Sequence, residues 1–136
     1  LLVLKEKAYG VDHPSVASSL NDIGIFYAEL GNFEKAKSLF ERALSIYEEA
    51  NISFNFTMLR VLNNLADLNN EKGKYDNAES LYNRVLTICC KILGSSTGKS
   101  IGPAQRATEK LVDLYLKVGK KKEAETMKKQ LLNIDS

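Results

Sequence analysis

The sequence has no tryptophan, one histidine, two cysteines and two prolines in 136 residues. Each scarcity removes a class of function. His13 is the only imidazole, so a Ser-His-Asp or Cys-His relay has a single candidate base, and no cysteine or reactive serine is evidently placed to complete it. A turn or capping role suits His13 better. One histidine and the adjacent pair Cys89-Cys90 fall short of a tetrahedral metal site. Neighbours on a helix point about 100° apart, which argues against an ordinary disulfide between those two. Reduced thiols in a cytoplasmic setting are the expectation. No apolar run approaches the roughly 18 residues that cross a bilayer. A formal charge of +2 is too small to mark nucleic acid or an anionic membrane as the main partner. Neither catalytic, cofactor-binding nor metal-binding residues are therefore expected.

What remains is an ordinary apolar content of 44% and a strong internal periodicity. Shifting the chain by 42 residues lays Leu20 on Leu62, Ile23 on Leu65, Gly24 on Ala66 and Gly31 on Gly73. Phe33 then meets Tyr75, Ala36 meets Ala78, Leu39 meets Leu81, Phe40 meets Tyr82 and Leu44 meets Leu86. The same shift places Leu2 on Leu44, so the chain opens within an earlier unit and reads as an excerpt whose natural start lies upstream. A third unit follows at 46 residues, with Leu65 on Leu111, Leu68 on Leu114, Gly73 on Gly119 and Ala78 on Ala124.

Each unit reads as two helices. Val16, Leu20, Ile23, Phe26, Tyr27 and Leu30 recur at three- and four-residue steps, the stripe of an amphipathic helix. Gly31-Asn32 interrupts it, and the stripe resumes through Phe33, Ala36, Leu39, Phe40, Ala43, Leu44, Ile46 and Tyr47. So short a break makes the two helices antiparallel neighbours. Asp12-His13-Pro14-Ser15 supplies a start signal, with a polar cap directly before a first-turn proline. Small residues at Gly24, Ala66, Ala36, Ala78 and Ala124 permit close helix crossings, and Phe40 and Tyr82 fill the space beside them. Strand signals are absent.

The stretch Leu20-x-x-Ile23-Gly24-x-x-Tyr27, Gly31-x-Phe33, Ala36, Phe40, Ala43 resembles the tetratricopeptide signature, and Leu62, Leu65-Ala66, Gly73-x-Tyr75, Ala78, Tyr82 repeats it. The longer spacing, with Gly10-x-Asp12-His13-Pro14-x-Val16-Ala17 opening a unit, resembles the kinesin light chain subgroup. The resemblance implies an all-α right-handed superhelix of antiparallel helix pairs: an α-solenoid forming one array over residues 1–136. Its parts are the end of a preceding repeat at 1–9, repeats at 14–50 and 56–93, and a terminal repeat at 103–134. Departures fall at Asn69, where Tyr27 and Tyr115 stand, and at Thr108, Lys121 and Lys128, which replace apolar residues of the pattern. Lys128 at a position otherwise aromatic suits a terminal unit with nothing stacked beyond it.

The resemblance further implies protein recognition through a concave face built from the first helices of successive units. On that carry-over the groove residues are Asn21 and Ile25, then Arg60, Asn63, Asn64, Asp67 and Asn70, then Arg106, Lys110 and Asp113. Composition supports this independently. Asn63, Asn64, Asp67, Asn70 and Glu71 form a helix face of poor helix formers, and amides both donate to and accept from a peptide main chain. Part of the family holds a terminal carboxylate with two basic residues and asparagines. Asn64, Arg106 and Lys110 match part of that clamp, while Asn21 and Ile25 stand where a lysine and an asparagine are needed. The expected partner is a protein or peptide, with no nucleic acid and no membrane. Self-association, or a spacer role in a larger protein, is the alternative.

Three features invite other readings. Gly94-Ser95-Ser96-Thr97-Gly98-Lys99-Ser100 has three residues between its glycines where a phosphate loop needs four, and it follows a helix instead of a strand. It reads as a connection. Asn51-Ile52-Ser53 and Asn55-Phe56-Thr57 match the glycosylation acceptor pattern, which requires secretion, against the reduced cysteines. Phe54 and Phe56 are expected to pin the next helix. The lysines from Lys117 to Lys129 lack the interleaved aromatics of a nucleic-acid surface.

Overall fold

The computed structural model describes residues 2–9, 13–94 and 102–135, with side chains described except at 8, 9 and 130–135. Among the described residues there are seven helices and no strand. They are α1 (Leu2–Tyr9), α2 (Pro14–Glu29), α3 (Phe33–Glu49), α4 (Phe56–Glu71), α5 (Tyr75–Leu93), α6 (Gly102–Lys117) and α7 (Lys121–Asp135). They form two compact units, Leu1–Leu68 and Asn69–Ser136, with α4 contributing to both.

In the first unit, α2 starts on His13, whose Nδ1 accepts the Ser15 N–H at 3.1 Å, with Pro14 in the first turn. The histidine thus serves as the cap that the turn signal called for. The α2–α3 hairpin turns at Gly31, whose φ of +80° a side chain would strain. The Asn32 N–H returns to the Tyr27 carbonyl at 2.9 Å, and the Asn32 Oδ1 accepts the Lys35 N–H at 3.3 Å. One short turn therefore ends one helix and caps the next.

Packing within the pair rests on the small-against-large match read from the sequence. A Cβ placed on Gly24 would lie 2.6 Å from Cε1 of Phe40, a residue buried to 1% exposure. The ring occupies the space that the missing side chain leaves, and burying it stabilises the fold by about 1.5–3 kcal/mol. Val16, Ala17, Leu20, Ala36, Ala43, Ile46 and Tyr47 complete this core. Burial raises the Tyr47 pKa, partly offset by a hydrogen bond with Thr57. α1 lies against α2, where Lys5 Nζ donates to Ser18 Oγ at 3.1 Å. Glu6 also pairs with Arg42 of α3 at 3.6 Å.

The start of α4 lacks the Asp-His-Pro turn and uses another device. Asn55 Oδ1 accepts the N–H groups of Thr57 at 2.8 Å and Met58 at 3.2 Å, satisfying two orphan donors of the first turn. Phe54 and Phe56 stack edge to face at 5.2 Å, but only Phe54 is half-buried; Phe56 is exposed. The expectation that both pin the helix is corrected. The two-bond cap orders the turn, and Phe56, resting on Phe54, keeps more than half of its surface in solvent.

In the second unit α5 packs on α6, and α6 on α7. Leu111, Leu114, Tyr115, Ala78, Tyr82 and Val85 are buried. Thr108 stands on this buried face and satisfies its hydroxyl on the Ala104 carbonyl at 2.9 Å. On α7, Ala124 is buried while Lys121 and Lys128 are exposed, so these departures from the apolar pattern carry no buried charge. The Ser95–Ser100 part of the phosphate-loop decoy lies outside the described residues.

Candidate recognition surface

Ten residues were expected to line a binding face, and each unit is taken by itself. In the first unit, Asn64 Nδ2 of α4 donates to Asn21 Oδ1 of α2 at 3.0 Å. This bond sets two first helices side by side and fixes which faces share one side. Ile25 and Arg60 are exposed there, and Asn64 and Asp67 are half-buried. Asp22 and Glu29, on the same stripe of α2 as Ile25, are exposed as well.

Asn21 and Asn63 do not stand open. They are 5% and 2% exposed, which draws them into the interior. The reason is visible in register. Asn21 lies four residues after Ala17 and three before Gly24, both buried; Asn63 stands likewise between Leu59 and Ala66. Such a position sits on the flank of the apolar stripe, where neighbouring helices close over it. Of the two, Asn21 joins neighbouring helices directly, through its bond with Asn64. That spacing was the signal in the sequence, and the amide composition concealed it.

In the second unit α6 presents Arg106, Asp113 and Lys117 to solvent, with Lys110 half-buried, at steps of three and four residues. Arg106 and Lys110 are one turn apart. Asn70, at the end of α4, is half-buried, and its Oδ1 is enclosed without a hydrogen-bond partner. A buried amide oxygen in that state costs about 1–3 kcal/mol until a donor reaches it.

Two features missed by the sequence lie close by. Tyr115 donates its hydroxyl to Glu79 Oε1 at 3.1 Å, and Lys120 pairs with Glu79 Oε2 at 3.8 Å. Burial raises the Tyr115 pKa. Beside this cluster a cavity of about 330 Å³ is lined by Tyr115, Lys122, Glu123, Thr126 and Met127. It includes none of the ten residues expected from sequence.

Both cysteines are free thiols. Cys89 is fully buried, and loss of solvent, with a smaller contribution from Cys90, pushes its thiol up to about 11. It is a packing residue and a poor nucleophile. Among the described residues no group of three or more His, Cys, Asp or Glu side chains is placed to hold a metal ion, and no helix is long and apolar enough to cross a membrane.

Helical hairpins of recurring design, with a polar stripe on their first helices, define the α-solenoid class of repeat scaffolds. The chain belongs to the tetratricopeptide repeat family: two models of that repeat match it, one over residues 1–49 and the other over residues 58–97. Among solved structures it is similar to BtubC (BKLC) from P. vanneervenii, with a TM-score of 0.78 and 22% identity over 89% of this chain and 46% of that one. It is also similar to a Podosopora anserina putative kinesin light chain with nearly identical TPR-like repeats. There the TM-score is 0.76 and the identity 22%, over 98% of this chain and 62% of that one. The chain thus spans about half of the first and three-fifths of the second, and the likeness is one of fold. No curated protein matches the sequence.

Proposed function

We propose that this chain is a protein-recognition scaffold that holds an extended peptide or a partner helix on the polar stripes of its first helices. Tetratricopeptide repeats generally mediate protein–protein interaction, and the finer assignment to these faces rests on one observation. α4 buries Met58, Leu59, Val61, Leu62, Leu65, Ala66 and Leu68, yet its remaining stripe carries Arg60, Asn64 and Asp67. Asparagine and aspartate are poor helix formers, and beyond the bond from Asn64 to Asn21 the helix itself gains nothing from them. Beside them stands Ile25, an exposed apolar side chain with carboxylates at Asp22 and Glu29 on its own stripe. One apolar contact set among groups of both signs and an amide suits a peptide anchored by a side chain and held along its main chain. Arg106, Lys110 and Asp113 offer a second polar stripe on α6. The scaffold acts by binding, without catalysis or a cofactor, and its two free thiols suit the cytoplasm.

The test is to pan a displayed peptide library against the chain, then measure the selected peptides against Ile25→Glu, Arg60→Ala and Arg106→Ala. These side chains are exposed, so the variants keep their fold. A loss of about tenfold or more in affinity, equivalent to ~1.4 kcal/mol, is expected for at least one of them. Unchanged affinity across all three, for every peptide that binds, removes these faces from the account.

A further inference from the structure

The charges of α2 are of one sign. Along its 16 residues there is neither lysine nor arginine, and its only ionised side chains are Asp22 and Glu29. Both are exposed, and they stand three residues before and four residues after Ile25, so the three share one stripe. Ile25 is itself 37% exposed. Among the described residues neither carboxylate makes an ion pair. Glu29 is unfavourable to the helix that carries it, because it lies in the last turn, where the dipole favours a cation and α2 has none.

This stripe is open in the repeat's own register. At the corresponding positions of α4, Asn64 and Asp67 are half-buried and Glu71 is exposed. Its acidity is local, since the chain as a whole carries +2 and the α6 stripe of Arg106, Lys110 and Asp113 has the opposite balance. What distinguishes α2 is an apolar side chain with an unpaired acid on each side.

The spacing says what fits. A rise of about 1.5 Å per residue puts Asp22 and Glu29 about 4.5 and 6 Å along the axis from Ile25, in opposite directions. In an extended peptide, side chains two positions apart point the same way and stand about 6.5 Å apart. The difference is within the reach of a long basic side chain, whose apolar stem can lie along Ile25 while its head meets a carboxylate.

Given the recognition role proposed above, on which this rests, we infer that the first unit takes a basic peptide. An apolar residue of an extended segment sits on Ile25, and a lysine or arginine two positions away pairs with Asp22 or Glu29. With an acid on both sides, either chain direction along α2 is accepted. The pairs are exposed, so each contributes modestly and is screened by salt. Discrimination comes from the repulsion that an acidic segment meets here.

The test pans a displayed library of random peptides against the chain and sorts the binders by Ile25→Ser. Those weakened by this change are expected to carry lysine or arginine two positions from an apolar residue. Their affinity is expected to fall about threefold or more in the isosteric double variant Asp22→Asn, Glu29→Gln, with helicity unchanged by circular dichroism. It is also expected to fall as salt rises from about 0.01 to 1 M, where the screening length shrinks from about 30 to 3 Å. Panning against the double variant Asp22→Lys, Glu29→Lys is expected to return acidic peptides instead. Binders that need Ile25 but lack the basic residue, or that hold the neutralised variant as tightly as the parent chain, overturn the inference and leave the recognition role standing. Binders that respond to Arg60→Ala or Arg106→Ala but never to Ile25→Ser do the same. A library that yields no binder dependent on any of the three removes both.

Discussion

Replacing Gly24 by alanine separates helix propensity from packing at a single carbon. In an open helix the change is favourable by about 0.5–1 kcal/mol, because glycine loses more backbone freedom on folding. Here the new methyl would lie 2.6, 2.9 and 3.0 Å from Cε1, Cδ1 and Cζ of Phe40. Contacts below 3.0 Å are not sustained, so the ring or the helix must move. Phe40 is 1% exposed and enclosed by the α2–α3 core, which leaves the ring no rotamer to retreat into. Overfilling a packed core costs typically about 1–3 kcal/mol, more than the propensity gain returns. The expected result is a net loss of about 1–2 kcal/mol in urea unfolding followed by circular dichroism. A second variant isolates the cause. Phe40→Leu costs stability by itself, but combined with Gly24→Ala it should cost less than the sum, since the smaller side chain admits the methyl. If Gly24→Ala raises stability by its propensity value, or the two changes add without coupling, the close crossing is not what holds this pair together.

Asn55→Ala removes both hydrogen bonds at the start of α4 and should cost about 1 kcal/mol in the same urea measurement, with serine restoring most of it. Tyr115→Phe deletes the hydroxyl that donates to Glu79 and should cost about 0.5–1.5 kcal/mol, read by differential melting. The thiol of Cys89 rises from 9.0 to about 11 on folding, so the folded chain binds its proton more tightly than the unfolded one. That stabilisation is complete below pH 9.0 and lost as pH climbs toward about 11, so urea midpoints should fall across this window and fall less in Cys89→Ala. Ellman's reagent should label half-buried Cys90 while leaving buried Cys89 untouched until unfolding. Equal rates at both thiols would contradict the described burial.

The fold was legible because its determinants are periodic. A stripe at three- and four-residue steps, a glycine where each first helix ends, and a small residue facing an aromatic one recur at intervals that comparison within one chain exposes. The candidate surface was legible only in part. Identifying the side of a helix that faces away from its stripe requires knowing how many neighbours enclose it, and local pattern does not count neighbours. Asn21 and Asn63 show the difficulty. Their amides read as solvent-facing by composition, yet each stands at the four-and-three spacing from buried small or apolar residues that marks a flank. Asn69 repeats the lesson, since it is buried at the position where Tyr27 and Tyr115 stand in the other units. The start of α4 was hidden for a different reason. Asn55 lies in a segment that also matches a glycosylation acceptor, and only its geometry shows that the side chain is already committed to the backbone.

The contact between Asn21 and Asn64 joins two carboxamides, neither of which titrates or attracts counterions. The clasp between α2 and α4 is thus indifferent to salt and acidity. The charges of Asp22 and Glu29 on α2 and Arg60 on α4 are exposed, and salt screens them. In the proposed recognition mode, salt grades how tightly a partner is held while the amide contact between α2 and α4 is left unaffected.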